Sequence, residues 1–559
     1  MKPLEIWSDR ARTLVLDGAA LAIVLGLSVL LIINVTGLVR VLLALAFVLY
    51  VPGRAVVTSF PSTRHGSRLA LPVMLSISIV ALVSAVALWI RAWNPIGIFC
   101  TFAALSAAAF AVSLRRSVGA ARPIPREAER GIPMSVDVPT WIAQLELSGG
   151  ARLQGVGTRP SLGYSQARIL VRLHRQPIGF LDLPLPAEGL DWQAAVSAAE
   201  LQFADSIRQH LAEDGVNSPN VPLSELTDLP VECRAGLVQP VCLPISVVVP
   251  THNRSAALTT CLRSLRRQQH PAFEVLVVDN APTDDETRRI FHETVGGDER
   301  FRYVVEPVQG LSRARNFGMR VARFDHVAFT DDDVAADPYW LTTLARGFAR
   351  EPGVVCVTGL VAPGTLESAP ERYFDRRVSW SERMEPCRYD NSSRRTPYFP
   401  FDPGLLGTGA NFAVDRDATM AIGGFDEALG AGSPAHGGED LDIFVRLLRA
   451  GGVLTYEPSA LVWHFHRALD DELRQQMRAY GIGFAAYVLK QLHDAKTRRA
   501  FIRQLPRRAW DHATLLRHDA NSEQRGSGYA AAEVWGYLLG PLAYRRSRRA
   551  VERRRATSA

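Results

Sequence analysis

Apolar residues follow three different patterns along this 559-residue chain. Residues 14–34, 38–57, 69–90 and 95–114 are near-continuous apolar runs. Each is close to the roughly 20 residues needed to cross a bilayer, so they predict four transmembrane helices in two hairpins. The length of the first run and the three that follow it argue against a cleaved signal peptide. Between 244 and 330 the pattern changes to short β-branched runs (244–249, 273–278, 301–306 and 326–330). The segments between them, 255–269 and 312–322, are amphipathic. In 255–269, Leu258, Cys261, Leu262 and Leu265 fall at three- and four-residue spacing, with Arg263, Arg266 and Arg267 opposite. Alternating strands and helices predict a doubly wound α/β sheet. The third pattern is helical and basic, and runs from 469 to the end.

In a doubly wound sheet, ligands bind beyond the carboxyl ends of the strands. Pro250, Thr251, Asn253 and Arg254 follow the first of these strands, Asp279 the second, and Asp331, Asp332 and Asp333 the fourth. One crevice can therefore collect them. About a hundred residues later come a glycine-rich stretch at 407–414, the pair Glu439 and Asp440 opening a helix (441–448), and His464 and His466 on one face of a strand. Two carboxylate clusters and a histidine supply the parts of a metal-assisted group transfer to a hydroxyl: a cation site and a base. A three-aspartate turn can also be merely solvated, and an acidic pair can merely favour a helix N-terminus. Asp442 is read as structural.

The segments VVVPTHNR, VVDN, GLSRARNFG, FTDDDV and GGEDLDIFVRL, in this order over residues 243–470, resemble the family 2 glycosyltransferases of the GT-A fold. The resemblance implies a mixed-sheet catalytic domain that binds a nucleotide-sugar donor, most often a UDP-sugar, with Mn2+ or Mg2+ as cofactor. It implies that Asp331 and Asp333 form the metal-binding pair, Asp331 also lying near the ribose beside Asp332, and that His464, or else His466, completes the metal shell. Asp279 would bond the base, and Pro250, Thr251, Asn253 and Arg254 would line the nucleoside pocket, braced by Arg315 and Asn316. Asp440, or alternatively Glu439, would be the base of an inverting transfer. One position departs from the processive members of the family. Gln475 and Arg478 stand where their Gln-x-x-Arg-Trp motif would lie, but Ala479 replaces the tryptophan. Without that stacking platform the chain is expected to add a single sugar. The loop 365–402 offers Trp380, Tyr389, Tyr398 and Phe399 to stack on a sugar or to pack. The alternative function is a catalytically degenerate transferase acting as a membrane scaffold or donor-binding module.

Charge refines the organisation. Arginines flank the four apolar runs on alternate sides, so the positive-inside rule predicts an inner-membrane protein with a cytoplasmic catalytic domain. With the membrane anchor, this points to a lipid-linked or cell-envelope glycan as acceptor. Almost all the basic charge is arginine, in keeping with a GC-rich bacterial genome. A net charge of only +7, with basic runs beside apolar ones, argues against a nucleic-acid partner. An arginine cluster after the apolar stretch 528–544 suits an anionic membrane surface. The expected organisation is a transmembrane region (1–118), a linker (119–135), a small α+β region (136–240) with a hairpin at 167–183 and a helix at 192–211, the catalytic domain (241–470), and a helical basic region (471–559). The six cysteines show no metal-ligand spacing.

Overall fold

The computed structural model describes residues 138–157, 160–187, 189–214, 242–393, 395–504 and 528–558, with a few positions among 44–51, 76, 102 and 106. Two mixed sheets organise them. The smaller has the order β2-β1-β3-β4, from β1 (Thr140–Glu146), β2 (Arg152–Gly155), β3 (Gln166–Leu173) and β4 (Gln176–Pro184). Its strands β3 and β4 are the expected hairpin, and β1 lies parallel to β3 on the other side. Helix α1 (Trp192–Glu213) packs Ala195, Val196, Ala199, Ile207 and Leu211 onto this sheet, where they meet Ile169, Val171 and Leu181 in one core.

The larger sheet starts as the apolar pattern predicts. Strands β5 (Ile245–Thr251), β6 (Phe273–Asn280) and β7 (Phe301–Glu306) are connected by α2 (Ser255–Arg266) and α3 (Glu286–Val295). Helix α4 (Leu311–Val321) then leads to β8 (His326–Thr330), and β8-β5-β6-β7 form a wholly parallel half. Strand β5 is buried along its whole length, as a strand covered by helices on both faces must be.

The second half is mixed. It comprises β9 (Val334–Ala336), α5 (Trp340–Ala349), β10 (Val354–Pro363), α6 (Ala369–Val378), β11 (Cys387–Tyr389), β12 (Asn411–Asp415), α7 (Arg416–Ala421), α8 (Glu439–Arg449) and β13 (Val453–His464). Strand β12 sits antiparallel between β8 and β10, joining the halves, while β10 and β13 run parallel. Helices α9 (Asp470–His493) and α10 (Tyr529–Ser558) pack on each other and on this half.

The small sheet docks on the large one. Ile142 and Leu170 share a core with Leu360, Ala362, Leu461 and Trp463. Arg172 Nη1 donates to Asp337 Oδ2 at 2.7 Å with both side chains buried, and Tyr164 donates to Glu367 at 2.8 Å.

One expectation is corrected. Among the described residues no helix is long and apolar enough to cross a membrane. The four expected transmembrane helices, and the multi-pass inner-membrane localisation that rested on them, are therefore carried by no described helix. The long described helices carry charges along their length, such as Glu200, Asp205 and Arg208 in α1, and the arginine run of α10. The runs 14–34, 38–57, 69–90 and 95–114 lie almost wholly outside the described residues, as do the linker and 215–241.

Candidate active site

Strand ends and backbone pairing bring the two acidic clusters together. Asp331, Asp332 and Asp333 follow β8, and β9 comes immediately after them. Strand β9 pairs antiparallel with the end of β13, placing Val334 opposite His464, and the Phe465 N–H donates to the Asp333 carbonyl at 3.0 Å. Asp331, Asp333 and His464 thus each offer a ligand atom, all within 4.8 Å of one another. His464 Nε2 lies 3.4 Å from Asp333 Oδ1, a buried oxygen without a hydrogen-bond partner among the described residues. Burial, which outweighs the opposing Asp333 charge, pushes the His464 imidazole down to about 4, so it is neutral and its lone pair is available. His466 stands one step away. Its Nδ1 is 2.9 Å from His464 Nδ1, and its Nε2 faces Asp375 at 3.9 Å. This donor set of two carboxylates and a neutral imidazole fits a divalent cation.

Asp332 is turned elsewhere. Its two oxygens accept from Thr251 Oγ1 and Arg254 Nη1, both at 2.7 Å, while Arg254 Nη2 reaches Asp333 Oδ2 at 2.8 Å. Asp332 therefore fastens the residues following β5 to the metal-type cluster rather than facing the crevice. Asp279, at the end of β6, is fully buried. Its Oδ2 accepts from the Tyr303 hydroxyl at 2.5 Å, and its Oδ1 has no partner among the described residues. Burial raises the Asp279 carboxyl, an effect the Tyr303 bond opposes.

Arg315 joins the two clusters. It is 1% exposed and reaches Glu439 Oε1 at 2.9 Å, the Gly409 carbonyl at 2.9 Å and Asp331 Oδ1 at 3.4 Å. The Gly409 N–H in turn donates to Asp440 Oδ2 at 2.9 Å, so the two peptides that flank this glycine are held from opposite sides. A Cβ on Gly409 would lie 3.1 Å from the Arg315 guanidinium and 3.2 Å from Asp440, so both would have to give by a few tenths of an ångström. Glu439 and Asp440 differ in setting. Glu439 is buried, and burial followed by the Asp440 charge pushes its carboxyl up to about 7. Asp440 is partly exposed, with its Oδ1 accepting the Leu441 N–H at 2.8 Å. Asp442 is buried, paired with Arg446 at 2.7 Å and Lys490 at 2.8 Å.

Not every expected residue faces the crevice. Asn316 exchanges two hydrogen bonds with the Phe425 main chain, its Nδ2 donating at 2.9 Å and its Oδ1 accepting at 2.8 Å, and so braces the chain behind the site. Pro250 is buried within β5 opposite Val278. Asn253 is exposed with a left-handed backbone (φ 51°) and accepts the Thr283 N–H at 3.3 Å. Of the loop aromatics, Tyr389 and Phe399 stack on each other in the core, whereas Trp380 sets its edge to His464 with ring centroids 5.7 Å apart. Gln475 and Arg478 are exposed on α9. Sequence reasoning missed Tyr303, Gly409 and Tyr480. Tyr480, on α9, sets its ring 5.8 Å from that of Phe374, which lies 4.9 Å from the His466 ring. Gly409 alone left a signal, within the glycine-rich motif.

The acidic clusters that follow β8 and open α8 thus share one crevice of the mixed sheet. Residues 246–420 match the family model "Glycosyl transferase family 2", and this segment is a family 2 glycosyltransferase domain. Over 235 residues the chain is 32% identical to the "Pre-mycofactocin glycosyltransferase" of Mycobacterium tuberculosis strain H37Rv, covering 40% of this chain and 43% of that one. It is 25% identical over 198 residues to the "Glucosyl-dolichyl phosphate glucuronosyltransferase" of Haloferax volcanii, covering 35% of this chain and 59% of the other. The chain thus spans about half the length of the curated relatives it matches. Among solved structures it is similar to the mannosyltransferase PcManGT from Pyrobaculum calidifontis, in complex with GDP-Man and Mn2+, at 17% identity and a TM-score of 0.36, over 62% of this chain and 97% of that one.

Proposed function

We propose that the protein transfers a single sugar, with inversion, from a nucleoside diphosphate sugar to an acceptor hydroxyl. The observation that carries this reading is the shared crevice, in which Arg315 and the Gly409 peptide hold the three-aspartate turn and the Glu439–Asp440 pair within hydrogen-bonding reach of common partners. Asp279 receives an N–H of the nucleobase on its free Oδ1, which suits the N3–H of uracil. Tyr303 holds the other carboxylate oxygen and so fixes the orientation of the acceptor atom. Asp331, Asp333 and His464 would hold the divalent cation; when bound, it neutralises the charge developing on the departing diphosphate.

Asp440 serves as the base. It is the member of the acidic pair with solvent access, and its two backbone N–H donors fix its orientation. It takes the proton of the acceptor hydroxyl as that oxygen bonds to the anomeric carbon, while the bond from that carbon to the diphosphate breaks and the nucleoside diphosphate leaves. Glu439 does not compete for this proton, because it is buried and engaged with Arg315. Single addition is supported by Ala479 on α9, which leaves no indole beside the exposed Gln475 and Arg478.

The test is binding of a panel of nucleoside diphosphates and their sugars to the purified protein, with Mn2+ and with chelator. Metal-dependent binding of one nucleotide is the expected result. A folded protein that binds none of them refutes the transferase reading.

A further inference from the structure

The docked small domain contains a second cluster of metal-ligand type, formed by His174, His210 and Asp214. His174 Nδ1 lies 2.9 Å from Asp214 Oδ2 and 3.1 Å from His210 Nε2, and His210 Nε2 lies 3.4 Å from the same Asp214 oxygen. Three lone-pair atoms thus face one point. Two ligands bonded to a tetrahedral zinc ion at about 2.0–2.1 Å stand about 3.3–3.4 Å apart, so these separations come within a few tenths of an ångström of a metal-ligand triangle. A divalent cation at that point would take a lone pair from each of the three atoms at once.

Two further observations point the same way. His174 and Arg175 form the two-residue turn between β3 and β4, and both have left-handed backbones, φ 51° and 66°. Asparagine and glycine are the usual residues there; a histidine at such a position costs free energy that the turn itself does not return. The Ser148 hydroxyl accepts the His174 N–H at 3.2 Å, fixing this turn. Asp214 caps the C-terminus of α1, where the helix dipole disfavours a carboxylate and a cation would offset it. His210, four residues earlier, lies on the same face of α1. Side chains of His174 and Asp214 are 3% and 5% exposed and that of His210 13%, so the cluster is enclosed rather than spread over a surface.

We infer that His174, His210 and Asp214 bind a zinc-type divalent cation that pins the end of α1 to the β3–β4 turn. Two imidazoles and a carboxylate in a compact triangle suit zinc, with a water in the fourth position. The pin acts on the interface between the sheets. From β3, just before this turn, Arg172 reaches Asp337, and from the turn the Arg175 guanidinium lies over the Tyr339 ring at 3.5 Å.

The experiment uses the full chain carrying Asp333→Asn and His464→Ala, so that the crevice cluster is disabled and does not contribute. After equilibrium dialysis against zinc, metal content is measured by mass spectrometry, the fold by circular dichroism, and Co2+ substitution by visible absorption. One retained zinc equivalent, strong four-coordinate Co2+ bands and a zinc-dependent rise in Tm are expected. Adding Asp214→Asn or His210→Gln, two near-isosteric changes, should weaken binding by at least the roughly tenfold that loss of a mere outer-shell partner costs, and remove the rise in Tm. A folded protein that retains no zinc overturns the inference, as does zinc retention unchanged by both substitutions.

Discussion

The parallel and mixed halves of the large sheet are built on different logic. In the parallel half, β8-β5-β6-β7, the residues facing the crevice sit at strand ends and are anchored by neighbours in the same half: Thr251 and Arg254 on Asp332, and Tyr303 on Asp279. In the mixed half the acidic pair has no such local frame. Glu439 is held by Arg315 from α4, and Asp440 by a loop peptide preceding β12. The strand-end residues of the parallel half are therefore anchored within that half, whereas the position of the acidic pair depends on both.

Asp440→Asn is the sharpest test of this division. It should lower turnover about 10²- to 10⁴-fold, the usual worth of a general base, while nucleotide binding measured by calorimetry stays within error. Equal loss of both would erase the distinction between the halves. Next in size is Arg315→Gln, which leaves Glu439 buried without its ionic partner. It should destabilise the fold by about 3–5 kcal/mol in urea unfolding, and a value near zero would show that Arg315 does not couple the halves. Asp333→Ala is expected to weaken diphosphate binding by roughly tenfold or more through loss of a metal ligand, about 1.4 kcal/mol, with binding of the bare nucleoside nearly unchanged. A parallel loss of nucleoside affinity would break the assignment.

The smallest effect concerns pH. The Glu439 carboxyl is raised from 4.5 to about 7 by burial and by the Asp440 charge. The folded state therefore holds this proton more tightly than the unfolded chain. The associated stability is full below about pH 4.5 and is lost as pH rises through about 7. Glu439→Gln should flatten that part of the stability–pH profile, and an unchanged slope would mean that Glu439 titrates at its ordinary value.

The parallel half was legible in the sequence because its signals are local. Strands β7 and β8 run over the anticipated residues, and β5 and β6 extend past them by two residues at their carboxyl ends. Burial on both faces leaves an unbroken β-branched run that needs no partner to be recognised. The motifs DDD and ED were visible as residue types, but what they touch was not. Asp332 looks like its neighbours and yet closes on Arg254, and Asn316 sits beside Arg315 and yet turns to the Phe425 main chain. Both outcomes depend on tertiary neighbours: β5 beside β8 for Asp332, and the chain that follows β12 for Asn316. The cluster His174, His210 and Asp214 was illegible for the same reason: a strained turn joins residues some 36 positions apart. The apolar runs at the N-terminus matched a length rule that no described helix meets.

The cap of α8 has a practical consequence. Gly438 precedes the acidic pair in a left-handed conformation, and a Cβ there would come within 2.8 Å of the Gly483 carbonyl on α9. Gly483 is equally restricted, since a Cβ on it would meet Gly437 at 2.8 Å. The motif that ends near residue 470 therefore rests directly on a helix that begins there. Cutting the chain where its recognisable motifs stop would strip the floor from beneath the acidic pair and remove Tyr480 with it. The smallest unit that can carry this site is longer than its signature, and a side chain at 438 or at 483 would drive α9 off the acidic pair.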